Sequence, residues 1–313
     1  MDKKGILGWS SAVDYTEAGI VLGSDGEVYK WVATSGPAGV GAKDPTIGDP
    51  SYWLPLKAAL SQDIVGPSEN LECSITAASA SATFTDNQII VATSLSGISY
   101  RLTGFNEVVN LASVGAGGMD TGAAPVSGYV AVYAIYNPVT GDLASLAKNA
   151  TLAEQPSVYG GANMPSGYTA SALLTVVPTN GSGQFSPAFV AGRNVWIPDN
   201  VFYTSATQQA SLFIRDLSAV VPLNAKSGDF STTISSSSAT VSVLTGLAGS
   251  AAVAAGIGIG EKRCALTSAA IGGAGFQAHF PNIPIITPQT LYYRCTVAAG
   301  TMSFSITCSG YKI

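Results

Sequence analysis

The amino-acid sequence predicts an all-β fold: a small Trp/Tyr-rich β module at the N-terminal end, followed by a body of β-sandwich or jelly-roll type. Three observations carry this. Short apolar runs alternate with Gly, Pro and Asn turns through most of the 313 residues, the pattern of antiparallel strands stacked in layers. No segment keeps a helical period, apart from helical turns around Lys57–Gln62 and Leu143–Leu152. Charge is scarce: 14 basic and 19 acidic residues make up 11% of the chain, where about 25% is usual.

The scarcity is local. Residues 1–72 hold ten acids and five bases, whereas 73–313 hold nine of each. Ser, Thr, Gly and Ala fill the gap. A body so poor in charge favours surface buried between subunits over a monomer with a neutral Ser/Thr exterior.

Residues 1–60 form the expected module. Asp25-Gly26 between Gly19–Leu22 and Glu27–Ala33 marks a hairpin. A core this small needs large side chains, and Trp9, Tyr15, Tyr29, Trp31, Tyr52 and Trp53 supply them. Trp31, Tyr52 and Trp53 are also candidates for a platform that stacks on sugar rings, although packing inside the module is the better reading. Residues 61–72 are expected as a linker with its boundary at Gly66-Pro67-Ser68.

The body, residues 73–205, is organised around Gly128–Ala147. Tyr129–Tyr136 is apolar on both faces of a strand, Asn137-Pro138-Val-Thr-Gly141-Asp142 turns the chain, and a second apolar run returns. Such a strand must be covered on both sides, by further layers or by another copy of the chain. Before it come strands at Leu71–Ala77, Ser81–Phe84, Gln88–Thr93, Ser99–Thr103 and Val108–Ala112; after it come Tyr168–Val177, Gln184–Val190 and Asn194–Ile197.

Phe230–Gly260 carries no charge, and Val241–Gly260 is long enough to cross a bilayer. Its five glycines and few large aliphatics argue against a spanning helix, so it is expected as strand and interface loop, without membrane insertion. Gly5–Gly8 is too short for the core of a signal peptide. Scattered bases leave no nucleic-acid footprint.

Little in the sequence supports catalysis. The single histidine, His279, sits between apolar neighbours, and no nucleophile elbow accompanies it; Asp86, Asp120, Asp199 and Asp216 are of the type a glycosidase pair needs, but acids this sparse more often cap turns. No metal or cofactor is expected. Cys73, Cys264, Cys295 and Cys308 lack metal-site spacing. Cys295 and Cys308 face each other across an expected terminal hairpin, where a chain made in the cytoplasm favours a reduced pair.

Two segments, Ala116-Gly-Gly-Met-Asp-Thr-Gly through Tyr136-Asn-Pro138 and Val158-Tyr-Gly-Gly-Ala-Asn-Met-Pro-Ser-Gly-Tyr through Leu173, resemble the body of bacteriophage and prophage tail-fibre proteins. The closing residues, Thr287-Pro-Gln-Thr290, Tyr292-Tyr293 and Gly310-Tyr311, are similar to the last strands of such fibres, so 206–313 is expected as a distal β domain. The resemblance implies a homotrimeric, non-enzymatic virion protein, assembled in the host cytoplasm. It would join other tail or baseplate proteins and attach to a host surface glycan such as lipopolysaccharide, or to a surface protein. The distal contact residues would be Gln277, His279, Tyr292, Tyr293 and Tyr311, whose alternative role is packing at the threefold axis. The alternatives to a fibre tip are a carbohydrate-binding module using the N-terminal aromatics and a purely structural baseplate or tail connector.

Overall fold

The computed structural model describes residues 20–22, 28–31, 53–55, 65–238, 241–251, 258–268 and 274–313. Every regular element among them is a β-strand, and every strand pair with a register is antiparallel. The chain divides into two units, one of residues 1–64 with 92–100, the other of 65–91 with 101–313.

In the first unit, β1 (Ile20–Leu22), β2 (Val28–Trp31) and β3 (Trp53–Pro55) form a three-stranded sheet. Leu22 pairs with Val28 across the position expected for the Asp25-Gly26 turn, and Trp31 lies opposite Trp53. Tyr29 is buried. Trp9, Tyr15, Tyr52 and the helical turn expected around Lys57–Gln62 lie outside the described residues.

The second unit contains a large sheet and a small one. The large sheet runs in the order β17 (Ala274–Pro284), β14 (Ser227–Ser236), β19 (Met302–Lys312), β12 (Asn194–Ser205), β11 (Ala188–Ala191), β5 (Glu72–Ile75), β6 (Ser81–Ala92), β10 (Ala170–Pro178), β8 (Tyr129–Tyr136), β9 (Leu143–Asn149). Two further strands, β4 (Gly66–Glu69) and β7 (Ser99–Asn110), also pair with β6. The small sheet runs β13 (Gln209–Asp216), β18 (Thr290–Val297), β15 (Val241–Ala248), β16 (Lys262–Ser268).

The central hairpin forms as expected, with Gly141 at φ 82° closing the turn. Leu143–Asn149 is strand, not a helical turn, because Ala144–Ala147 alternate against β8 while staying buried. From Tyr129 to Ile135 every side chain is buried within this one chain. The Tyr133 hydroxyl donates to Pro156 O at 2.9 Å and its ring meets Tyr159 edge-on, while the Tyr129 hydroxyl donates to Ser218 O at 3.3 Å, so the segments that carry Pro156, Tyr159 and Ser218 lie against the tyrosine face. Of the two ways to cover this strand, the chain supplies its own layers.

Other boundaries move. Ser81–Phe84 and Gln88–Ala92 run together as β6, and Gly66–Glu69, inside the span expected as linker, pairs with β6 at a sheet margin where Pro67 needs no donor. The parts expected as body and distal domain share one sheet, since β19 and β14 continue the ladder from β12. Val241–Ala248, at the start of the bilayer-length stretch, is strand β15. Among the described residues no helix is long and apolar enough to cross a membrane.

The closing strands do not form the expected hairpin. β18 pairs with β13 and β15, whereas β19 pairs with β12 and β14, so Ala298–Thr301 carries the chain from one sheet to the other. The reason is side-chain packing: Tyr293 stacks on Phe304 with centroids 5.6 Å apart, placing one strand's inner face on the other's. Cys295 and Cys308 therefore do not oppose each other in a ladder, and all four cysteines are free. Burial pushes the Cys295 thiol up to about 11 and the Cys308 thiol to about 12, which keeps both protonated.

One ionic cluster sits beside the small sheet. The Glu261 side chain is only 1% exposed, and its carboxylate accepts from Arg263 Nε at 2.5 Å and from Gly258 N at 2.7 Å, with Arg294 Nε 2.9 Å away as a second cation. Burial works against its charge, but the bonds from Arg263 and Gly258 and the nearby Arg294 outweigh burial and hold its carboxyl below the usual range. A folded-state pKa below the unfolded value contributes stability above about pH 4.3 that is lost as pH falls through the folded value. Thermal unfolding followed from pH 7 to pH 3 should show this loss, and Glu261→Gln should flatten that part of the profile.

Candidate functional site

The strand pair β11–β12 carries the most exposed aromatic surface among the described residues of the second unit's large sheet. Its turn is tight: Ala191 pairs with Asn194, leaving Gly192 at φ 57° and Arg193 between them. That register fixes the faces. Val190 and Val195 point into the core, so Phe189 and Trp196 are thrown together on the outside. Their rings stack with centroids 5.7 Å apart at 22°, and they remain 40% and 41% exposed.

Neighbouring strands extend this face. Ser74, Phe189, Trp196, Gly310 and Asp229 are successive cross-strand partners on β5, β11, β12, β19 and β14. Two residues along each strand, and so on the same face, lie Glu72, Ala191, Asn194, Lys312 and Ser227. The result is an aromatic pair with a hydroxyl on one side, a carboxylate on the other and a row of polar groups beside it. Gly310 keeps the indole uncovered. A Cβ there would lie 2.7 Å from Val195 O and 3.4 Å from Trp196 Cδ1, so the position has no room for a side chain.

Two clefts adjoin the same strand pair. One, of about 340 Å³, is walled by Pro178, Pro187, Ile197 and Asp199. The other, of about 400 Å³, lies at the turn and is lined by Glu154, Gln155, Ser157, Arg193, Asn224 and Lys226. Among the described residues no group of three or more His, Cys, Asp or Glu side chains is placed to hold a metal ion.

The residues expected at a distal contact surface do not gather there. Gln277 and His279 lie on one face of β17, and Tyr292 is half-buried on β18. Tyr293 and Tyr311 are 1% and 2% exposed and so present nothing to a partner. Tyr293 shares a 2.6 Å hydrogen bond with the Tyr203 hydroxyl, and the Tyr311 hydroxyl donates to Val176 O at 2.7 Å. Both phenols serve as buried apolar bulk with one satisfied polar end, within a single chain. Of the N-terminal candidates, Trp31 and Trp53 are cross-strand partners, and Tyr52 lies outside the described residues.

The two segments that carry the family resemblance form one packed piece. β8 pairs with β10, Thr169 N donates to Tyr136 O, and the Tyr159 hydroxyl donates to Asp120 Oδ2 at 2.8 Å. Tyr129, Tyr133 and Tyr159 from these segments belong to the core.

Together these features define an antiparallel β protein that presents an aromatic and polar sheet face. Compared with family models, with curated proteins and with solved structures, the chain matches none.

Proposed function

We propose that this chain is a tail-fibre or receptor-binding protein of a bacteriophage or prophage, which attaches to a bacterial surface glycan without catalysis. The observation that carries the reading is the exposed Phe189–Trp196 pair with its polar border. Flat aromatic rings stack on the apolar faces of sugars, while the hydroxyl, amide and carboxylate groups around them select among ring substituents. Such contacts are shallow and weak singly, and several copies on one particle make attachment tight through effective concentration.

The reading includes a homotrimer with a β-sandwich or jelly-roll-like body, joined to other tail or baseplate proteins. Support for the oligomer comes from the small sheet, where β13 is an edge strand with Phe213 and Ile214 both more than half exposed. An apolar edge of this kind is a template for another chain. The test is sedimentation of the intact chain followed by adsorption to a panel of bacterial cells. A trimer that adsorbs, and is displaced by polysaccharide from the same cells, is the expected result. A trimer that adsorbs to none would favour the connector reading, and a monomer would remove the fibre.

A further inference from the structure

The cleft at the β11–β12 turn has a chemistry of its own. Arg193 is half-buried there, and among the described residues no carboxylate reaches its guanidinium. Lys226, the second cation of the cleft, is held by Glu154 at 2.6 Å in a solvent-exposed pair, the kind worth about 1 kcal/mol or less. The wall behind them is fixed: Gln155 N donates to Asn224 Oδ1 at 2.9 Å and Asn224 Nδ2 returns a bond to Gln155 O at 2.8 Å. Gln155 is 5% exposed, and its Oε1 has no donor among the described residues. An uncompensated guanidinium calls for an oxyanion, and an acceptor without a donor calls for a hydroxyl. A sugar bearing an acidic group supplies both.

We infer that this cleft binds the carboxylate or phosphate of an acidic sugar, with Arg193 as its direct partner and Lys226 as a second cation restrained by Glu154. The inference rests on the proposed glycan reading and deepens it. Arg193 and Trp196 are three residues apart along the chain, an odd spacing that sets them on opposite faces of a strand, so the cleft is a subsite separate from the aromatic platform.

The test is an NMR titration of the full chain with sodium glucuronate, inorganic phosphate and glucose, following the Arg193 side-chain N–H and the Trp196 indole N–H separately. Glucuronate, phosphate or both should shift Arg193, glucose should not, and the more effective anion identifies the acidic group. Arg193→Gln should weaken anion binding about tenfold or more, whereas Glu154→Gln, which frees Lys226, should strengthen it about threefold. Glu154 is exposed and Arg193→Gln keeps a polar side chain at a half-buried position, so both variants should unfold near the parent's midpoint. Absence of an Arg193 shift with either anion, or anion binding unaltered in Arg193→Gln, overturns the inference. In that event, indole shifts with glucose or glucuronate leave the aromatic platform standing, and their absence removes that as well.

Discussion

Replacing Tyr133 by alanine should lower the unfolding free energy by about 3–5 kcal/mol, the range for deleting a large aromatic from a packed interior. The side chain is fully buried, its ring meets Tyr159 edge-on at 5.5 Å, and its hydroxyl bonds to Pro156 O. Loss of the ring would also loosen Tyr159, whose hydroxyl is tied to Asp120. Tyr133→Phe isolates the hydroxyl and should cost only about 1 kcal/mol. Urea denaturation measures both. If Tyr133→Ala loses less than about 1 kcal/mol relative to the parent, the chain does not cover its own central hairpin as described.

Trp196→Ala should weaken binding of host surface polysaccharide about 30-fold, corresponding to roughly 2 kcal/mol for an aromatic anchor at the centre of a contact. Its unfolding midpoint should stay near the parent's, because the indole is already 41% exposed. The opposite face supplies the control. Val195→Ala removes a core methyl pair one residue away, so it should reduce stability while leaving the affinity of the folded protein nearly unchanged. Equal polysaccharide binding by Trp196→Ala and the parent would end the case for the platform.

Much of the fold is legible in the sequence because turn chemistry and alternation agree. Asn137-Pro138 and Gly141 locate the central hairpin, and the strands on either side follow from their period of two. The closing strands are not legible, because alternation says which residues share a face but not whether two strands pair edge to edge or stack face to face. Tyr293 on Phe304 decides that, and it depends on how two separate sheets pack. The candidate site escapes sequence reading for a related reason. Phe189 and Trp196 are larger than Val190 and Val195, so apolar area alone would turn the aromatics inward. The signal lies in the two-residue turn at Gly192-Arg193, which makes Phe189 and Trp196 direct partners. The closing motif points to Tyr293 and Tyr311 as contact residues, yet tyrosine serves as readily for a buried hydrogen-bonded ring.

The position of β19, between β12 and β14, bears on how the protein is made. A ribosome delivers β12 and β14 well before β19, so for that interval two strand margins of the future sheet stand open together in the nascent chain. Closure of the sheet waits for Met302–Lys312, and chains halted upstream would be substrates for chaperones and for aggregation.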